Sequence, residues 1–325
     1  LGSFDLDQEA PVFDNIRHLD QEQARYSAQS GHNVVKIGFD TQEPVSASQV
    51  TMYLEGTDET FPFTTCGAYQ ETSPHITCQR TLDGSEGEGL QIVQVKVADT
   101  AGNSRRDTYL IEIDLQPPQL VLGEITPAVA KAGDTVVLLT TFNEPLAEPP
   151  VFVTQAGLLE PDPAVSSDTT WVFTKDVASI PDSVEGYVFN LQVEDEVGNV
   201  SEAIAVPGRL FVDKVPPDVL VTMISSGYHS VQEGYDVVTI NVLLTEVDTV
   251  EDLSVTFQGV DTETPMTCVP VTPSENYPSH HRFECVHVLE LADVPNDSTD
   301  NALGTIMVEA HDPAGNSAVE TRFVE

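Results

Sequence analysis

The chain has 325 residues, 53 of them Asp or Glu against 13 Lys or Arg, for a formal net charge of −40. Phosphate backbones and anionic bilayers repel so acidic a surface, which excludes nucleic acid as a partner, and no apolar run approaches the ~20 residues that insert directly into a membrane. The four cysteines lack C-x-x-C spacing, which argues against zinc, whereas the surplus of carboxylates makes hard divalent cations such as Ca²⁺ the ions to consider.

Residues 1–10 read as a linker or the end of a preceding repeat. Asp7, Pro11 and Val12 parallel Asp114, Pro117 and Leu120, and again Asp213, Pro216 and Val219: an acidic residue, a spacer, a proline and a new strand. The chain opens at Leu1 with no visible signal peptide and ends at Glu325 where the next linker would begin. A window from a longer tandem array is therefore expected; a three-unit protein with a short leader is the alternative.

The first unit, 11–116, carries predicted strands at 12–16, 34–40, 49–55, 61–66, 76–82, 90–98 and 107–114. Residues 21–32 are polar and aperiodic and read as a loop with at most a helical turn, and the acidic, glycine-rich 83–89 reads as a strand connection before a cation loop. The second unit, 117–215, has predicted strands at 120–125, 135–142, 151–154, 157–160, 169–174, 186–194 and 203–212. Tyr187 suits either a tyrosine corner or ordinary core packing. The third unit, 216–325, has predicted strands at 218–224, 237–244, 253–258, 266–271, 282–289, 304–310 and 318–324, with a single turn at 291–296.

An acidic turn recurs once per unit, as Asp99-Thr100-Ala101-Gly102-Asn103, Asp195-Glu196-Val197-Gly198-Asn199 and Asp312-Pro313-Ala314-Gly315-Asn316. Asp opens a tight turn by bonding its own backbone, and Gly at the fourth position accepts the left-handed conformation that closes a type I turn with a bulge. Seven short alternating runs per ~100 residues, punctuated by turn signals and without long amphipathic helices, indicate an antiparallel sandwich, and its repetition indicates a string of sandwiches.

The cysteines fall in two local pairs on consecutive predicted strands, Cys66 with Cys78 and Cys268 with Cys285. Antiparallel neighbours bring such residues within disulfide reach, which implies an oxidising compartment; four reduced, buried thiols are the alternative. The second unit has no cysteine, and Trp171 and Phe173 stand on the corresponding strand, where apolar packing is expected to replace the bond.

The stretches Lys131-Ala132-Gly133-Asp134-Thr135-Val136, Thr141-Phe142-Asn143-Glu144-Pro145-Leu146, Val193 to Asn199 and Val212-Asp213-Lys214-Val215-Pro216-Pro217 resemble the tandem bacterial immunoglobulin-like repeats of large secreted and surface proteins. The resemblance spans nearly the whole chain and is strongest in the second unit. The third departs from it with Thr245-Glu246-Val247 where the second has Asn143-Glu144-Pro145, and disulfides are unusual for such repeats. Cadherin-like repeats are the runner-up, from the acidic linkers and the run Ala310 to Gly315. The resemblance implies three tandem Ig-like β-sandwiches in an extended all-β array, an extracellular or cell-surface location, and neighbouring repeats of the same longer chain or like subunits as partners. It implies a stalk, spacer or filament module of an adhesin, or an accessory module of a secreted protein, with calcium at some junctions.

No Gly-x-Ser-x-Gly elbow, phosphate loop or His-Glu-x-x-His is present, and carboxylate pairs arise by chance in so acidic a chain, so the reading is not an enzyme. A stalk and a carbohydrate- or protein-binding module remain, the second requiring an exposed aromatic platform or a large apolar patch. Sandwich topology puts the entering linker, the loop after the second strand and the turn before the last at one end of a unit. Three carboxylate trios are therefore expected to hold Ca²⁺: Asp7, Glu43 and Asp99; Asp114, Glu144 and Asp195; and Asp213, Glu246 and Asp312. The competing expectation is that each Asp only caps its turn and each Glu is solvated.

Overall fold

A computed structural model of the chain describes residues 7–19, 24–55, 60–155, 157–225, 229–247, 251–259, 262–272, 277–293 and 304–324. The described residues are all-β apart from two short 3₁₀ turns at Ala47–Gln49 and Val177–Ser179. Three separate apolar cores form along the chain, one from Phe13 to Ile113, one from Ala130 to Val212 and one from Val221 to Val324. Each is filled by alternate residues of its strands. Val35, Ile37 and Phe39 point inward from Val34–Thr41, Val136, Leu138 and Phe142 from Thr135–Phe142, and Val238, Ile240, Val242 and Leu244 from Val237–Leu244. Period-two burial of this kind follows from the pleat and fixes strand register.

The topology is that of an immunoglobulin-like sandwich. One sheet of the third core runs in the order Val219–Met223, Val237–Leu244, His281–Val288, Thr267–Val271, and the facing sheet in the order Glu263–Pro265, Leu253–Gln258, Gly304–His311, Ser317–Val324. The first core repeats both, with Phe13–His18, Val34–Thr41, Ile76–Thr81 and Thr65–Cys66 facing a sheet built on Ser104–Ile113, Gly89–Ala98, Val50–Glu55 and Thr60–Pro62. These orders match the two sheets of the Ig constant-type fold, with a short extra edge strand on the second.

Several strands differ from expectation. The predicted loop at 21–32 contains the strand Arg25–Tyr26, which pairs in parallel with Ser104–Ile113, and Val129–Ala130 pairs likewise with Leu210–Val212. Each is only two residues long, too short for periodicity to register, yet Tyr26 and Ala130 are fully buried and seal the edge of their cores. The predicted single strand at 61–66 changes sheets, whereas the one at 266–271 forms as Thr267–Val271 and follows a crossing from the unforeseen edge strand Glu263–Pro265. The crossing residues are Phe63 and Met266, both buried, whose N–H groups donate to the Met52 and Val255 carbonyls at 2.9 and 2.8 Å. The predicted strands at 186–194 and 203–212 are broken into Ser183–Tyr187 with Asn190–Gln192, and Ile204–Ala205 with Leu210–Val212, because Phe189 and Val206 turn into the core between the pieces. Within the first piece the register with Leu210–Val212 shifts between Ser183 and Tyr187, where Gly186 has a φ of 74° and a Cβ would lie 2.9 Å from the Phe211 ring. Of 157–160 only Glu160 belongs to a strand, Glu160–Pro161. The predicted turn at 291–296 forms over 291–293, and its remainder lies outside the described residues.

The structure joins Cys66 to Cys78 and Cys268 to Cys285, in each case as directly opposed residues of an antiparallel pair. Phe173 takes that position in the second core. It faces Pro161 on one side and Leu138 on the other, just as Cys78 faces Ile37 and Cys285 faces Ile240. Its ring is buried, with Phe152 at 4.9 Å edge-on. The Tyr187 hydroxyl donates to the Pro181 carbonyl at 2.9 Å, the local bond of a tyrosine corner. Loop 83–89 is tied down by Glu86, whose buried carboxylate pairs with Arg80 at 2.5 Å and accepts from the N–H groups of Asp83 and Gly84, so the cation of this loop is its own arginine.

Candidate cation sites at the junctions

The three acidic turns share one geometry. The Asp N–H donates to the Asn carbonyl at 2.9, 3.2 and 3.1 Å in turn order, and the Gly N–H returns to the Asp carbonyl at 3.4, 3.2 and 2.9 Å. The glycines have φ of 94°, 83° and 81°, the left-handed conformation the motif predicts. One Asp oxygen accepts from the Asn N–H and the other from the Asn side-chain amide, at 2.8–2.9 Å throughout.

The same amide group makes a second bond. Asn103 Nδ2 donates to the Asp7 carbonyl at 3.2 Å, Asn199 Nδ2 to the Asp114 carbonyl at 3.1 Å and Asn316 Nδ2 to the Asp213 carbonyl at 3.0 Å. The turn asparagine thus fastens the entering linker to the turn in all three units. The sequence displays it in every copy of the motif but gives no local reason for it, since its partner lies 85 to 103 residues away. At Asp99, burial works against the charge, but the Asn103 amide and the N–H groups of Asn103, Gly102 and Ala101 outweigh it and hold the carboxyl below its ordinary value.

The loops after the second strands hold the glutamates. Gln119 and Asn143 bond reciprocally, through Gln119 N–H to Asn143 Oδ1 at 2.7 Å and Asn143 N–H to the Gln119 carbonyl at 3.1 Å. Thr245 does the same for Asp218, with its hydroxyl accepting at 2.8 Å, so the sequence departure at Thr245-Glu246-Val247 preserves the geometry. Glu246 itself is left-handed, with φ of 60°.

Two of the three expected trios converge. The carboxylates of Asp114, Glu144 and Asp195 offer oxygens all within 4.8 Å of one another, and so do those of Asp213, Glu246 and Asp312. Oxygens on opposite sides of a Ca²⁺ ion at ~2.4 Å lie up to ~4.8 Å apart, so either set is small enough to share one ion. Asp7, Glu43 and Asp99 form no such group among the described residues. Asp7 turns its carboxylate back onto the Glu9 N–H at 3.1 Å, Glu43 is exposed, and Asp99 stays on its own turn.

The two converged trios differ in charge balance. Arg25, an unforeseen participant, reaches the first from the preceding sandwich: Nη2 lies 2.5 Å from Asp114 and 2.9 Å from Glu144, and Nη1 lies 3.6 Å from Glu196. Burial pushes the Glu144 pKa up, helped by the Asp114 and Asp195 charges and opposed by Arg25. An open cleft of about 250 Å³ beside this trio is lined by Glu88, Glu112, Asp114 and Glu144 among others. At the second trio Glu246 is exposed, yet desolvation by its neighbours and then the charges of Asp213 and Asp312 raise its pKa, and no basic side chain offsets them. Among the described residues none of these three carboxylates forms an ion pair; Lys131 crosses that junction but donates to the Gly315 carbonyl, at 2.6 Å.

No protein-family model and no curated protein matches the sequence. Solved structures to which the chain is similar include one from a 1.5-MDa bacterial ice-binding adhesin, at 15% identity and a TM-score of 0.48, with 98% of each chain covered. A second comes from a Ca²⁺-stabilised adhesin of an Antarctic bacterium, at 16% identity and a TM-score of 0.42 over 97% of this chain and 74% of that one. The titin I-band fragment I67–I69 is similar at 13% identity and a TM-score of 0.37, over 97% and 98%. Among the described residues no helix is long and apolar enough to cross a membrane.

Proposed function

We propose that the chain is a non-catalytic extracellular structural module, a stalk or spacer of a surface adhesin or filament, and that Ca²⁺ stiffens its second junction. The observation that carries this reading is the trio Asp213, Glu246 and Asp312, which draws one carboxylate each from linker, loop and turn. Three carboxylates held together without a basic partner repel unless a cation joins them, and a cation there ties the linker to the sandwich it enters. Two disulfides fit an oxidising exterior. The surface adhesin described as Ca²⁺-stabilised offers a parallel for the ion. A binding module is less well supported, because Trp171, the one tryptophan, packs against the second core instead of offering a platform.

Calorimetric titration of chelator-treated protein with Ca²⁺, with melting followed in parallel, tests the reading. Binding accompanied by a rise in Tm, both abolished in Glu246→Gln, is expected. A melting curve unmoved by millimolar Ca²⁺ rejects it.

A further inference from the structure

We propose that Arg25 is the resident cation of the first junction, so that this junction is closed by the chain itself and takes no metal. The proposal extends the calcium reading of the second junction, but its evidence is separate. Arg25 lies at the same point of the sandwich as Val129. The two begin equivalent parallel strands, Arg25 opposite Glu112 and Val129 opposite Phe211. The surrounding backbone bonds repeat: Glu112 N–H to the Ala24 carbonyl and Asp114 N–H to Tyr26, then Phe211 N–H to Ala128 and Asp213 N–H to Ala130. A guanidinium at this position therefore projects toward the linker carboxylate one strand away, and a valine there cannot.

The first junction uses that position fully. One Arg25 nitrogen donates to Asp114 of the linker and to Glu144 of the following sandwich, while the other faces Glu196 on the acidic turn. The guanidinium contacts both sides of the junction, as a bridging ion would, and its side chain is only 18% exposed. A divalent cation entering the same trio would have to displace it or sit against its positive charge. The seam is reinforced nearby by Ser27, whose hydroxyl donates to the Val197 carbonyl at 2.5 Å. Lys131 takes the place of Ser27 at the second junction and also reaches a turn carbonyl, so the two seams share a scaffold and differ in who supplies the charge.

The test uses the full chain. Arg25→Met removes the charge and keeps the length of the side chain, and Ca²⁺ binding is measured by calorimetry in this variant, in Glu246→Gln and in the double variant. Arg25→Met is expected to bind one more ion than its parent in both backgrounds. If the parent binds none and Arg25→Met binds one, the calcium reading of the second junction fails and the role of Arg25 stands. An unchanged stoichiometry in both backgrounds overturns the proposal. Glu144→Gln, with Arg25 intact, supplies a check that does not depend on Arg25→Met folding: it should leave the parent's Ca²⁺ binding unchanged, and a lost ion overturns the proposal.

Discussion

At the scale of single residues, the asparagine that ends each acidic turn matters more than its modest chemistry suggests. Asn316 is buried, and its amide satisfies both Asp312 and the Asp213 carbonyl. Replacing it by alanine strands two acceptors, and leaving buried polar groups unpaired costs about 1–3 kcal/mol. Asn316→Ala and Asn199→Ala should each lower the Tm of their unit. Asn103→Ala should do so less, because Asn103 is less buried than the other two. Differential scanning calorimetry of the three variants would show that order or contradict it. Glu246 gives a prediction with a definite sign. Its folded-state pKa is raised, by partial desolvation and then by Asp213 and Asp312, so its contribution, small because the side chain is exposed and screened by water, favours the folded state below its unfolded pKa and is lost as pH rises through the folded one. In chelator at neutral pH, Glu246→Gln should therefore melt higher than the parent, with the difference shrinking as pH falls toward the carboxylate range. Saturating Ca²⁺ should reverse the order, because only the parent gains the stabilisation of a bound ligand.

At the scale of elements, the same strand pair is held in two ways. Cross-strand disulfides close loops with sequence separations of 12 and 17 residues in the first and third sandwiches, whereas Phe173 fills the place in the second. Each bond should contribute roughly 3 kcal/mol by restricting the unfolded chain. Reduction should thus shift two melting transitions downward and leave the third in place. Phe173→Ala, by contrast, should cost the second sandwich about 3–5 kcal/mol under either redox condition. Much of this was legible in the sequence. Alternation located most of the long strands, Asp-x-x-Gly located the hairpins, and the absence of cysteine near Phe173 pointed to its substitute. What escaped was short or distant. The strands Arg25–Tyr26 and Val129–Ala130 are below the length at which a period exists. The crossing at Phe63 looks like uninterrupted strand, because a residue that changes sheets still points inward and preserves the alternation, and the three-residue edge strand Glu263–Pro265 before Met266 is too short to show one. Topology brought Asp114, Glu144 and Asp195 together across 81 positions, and Asp213, Glu246 and Asp312 across 99, but it said nothing about Arg25, which bonds Asp114 and Glu144 from 89 and 119 residues away.

At the scale of the whole molecule, the charge of −40 sets neighbouring sandwiches against each other, and the junctions decide what that repulsion does to shape. Pro117-Pro118 and Pro216-Pro217 hold their linkers extended and remove backbone donors that would let the chain fold back. With Arg25 in place the first junction carries its own neutralising charge, whereas the second has three carboxylates and depends on the medium. Sandwiches of about 35–45 Å placed end to end should give a maximum dimension roughly three times that value. Small-angle scattering in Ca²⁺ should show such a rod. In chelator the distance distribution should broaden and shorten as the second junction loosens, and Glu246→Gln should keep the loosened form whether or not Ca²⁺ is present. On the proposal that Arg25 is the resident cation of the first junction, Arg25→Met in chelator should loosen the rod further, with both seams then unneutralised. A compact particle in Ca²⁺ would be incompatible with a stalk, and a profile indifferent to chelation would remove calcium from its mechanics.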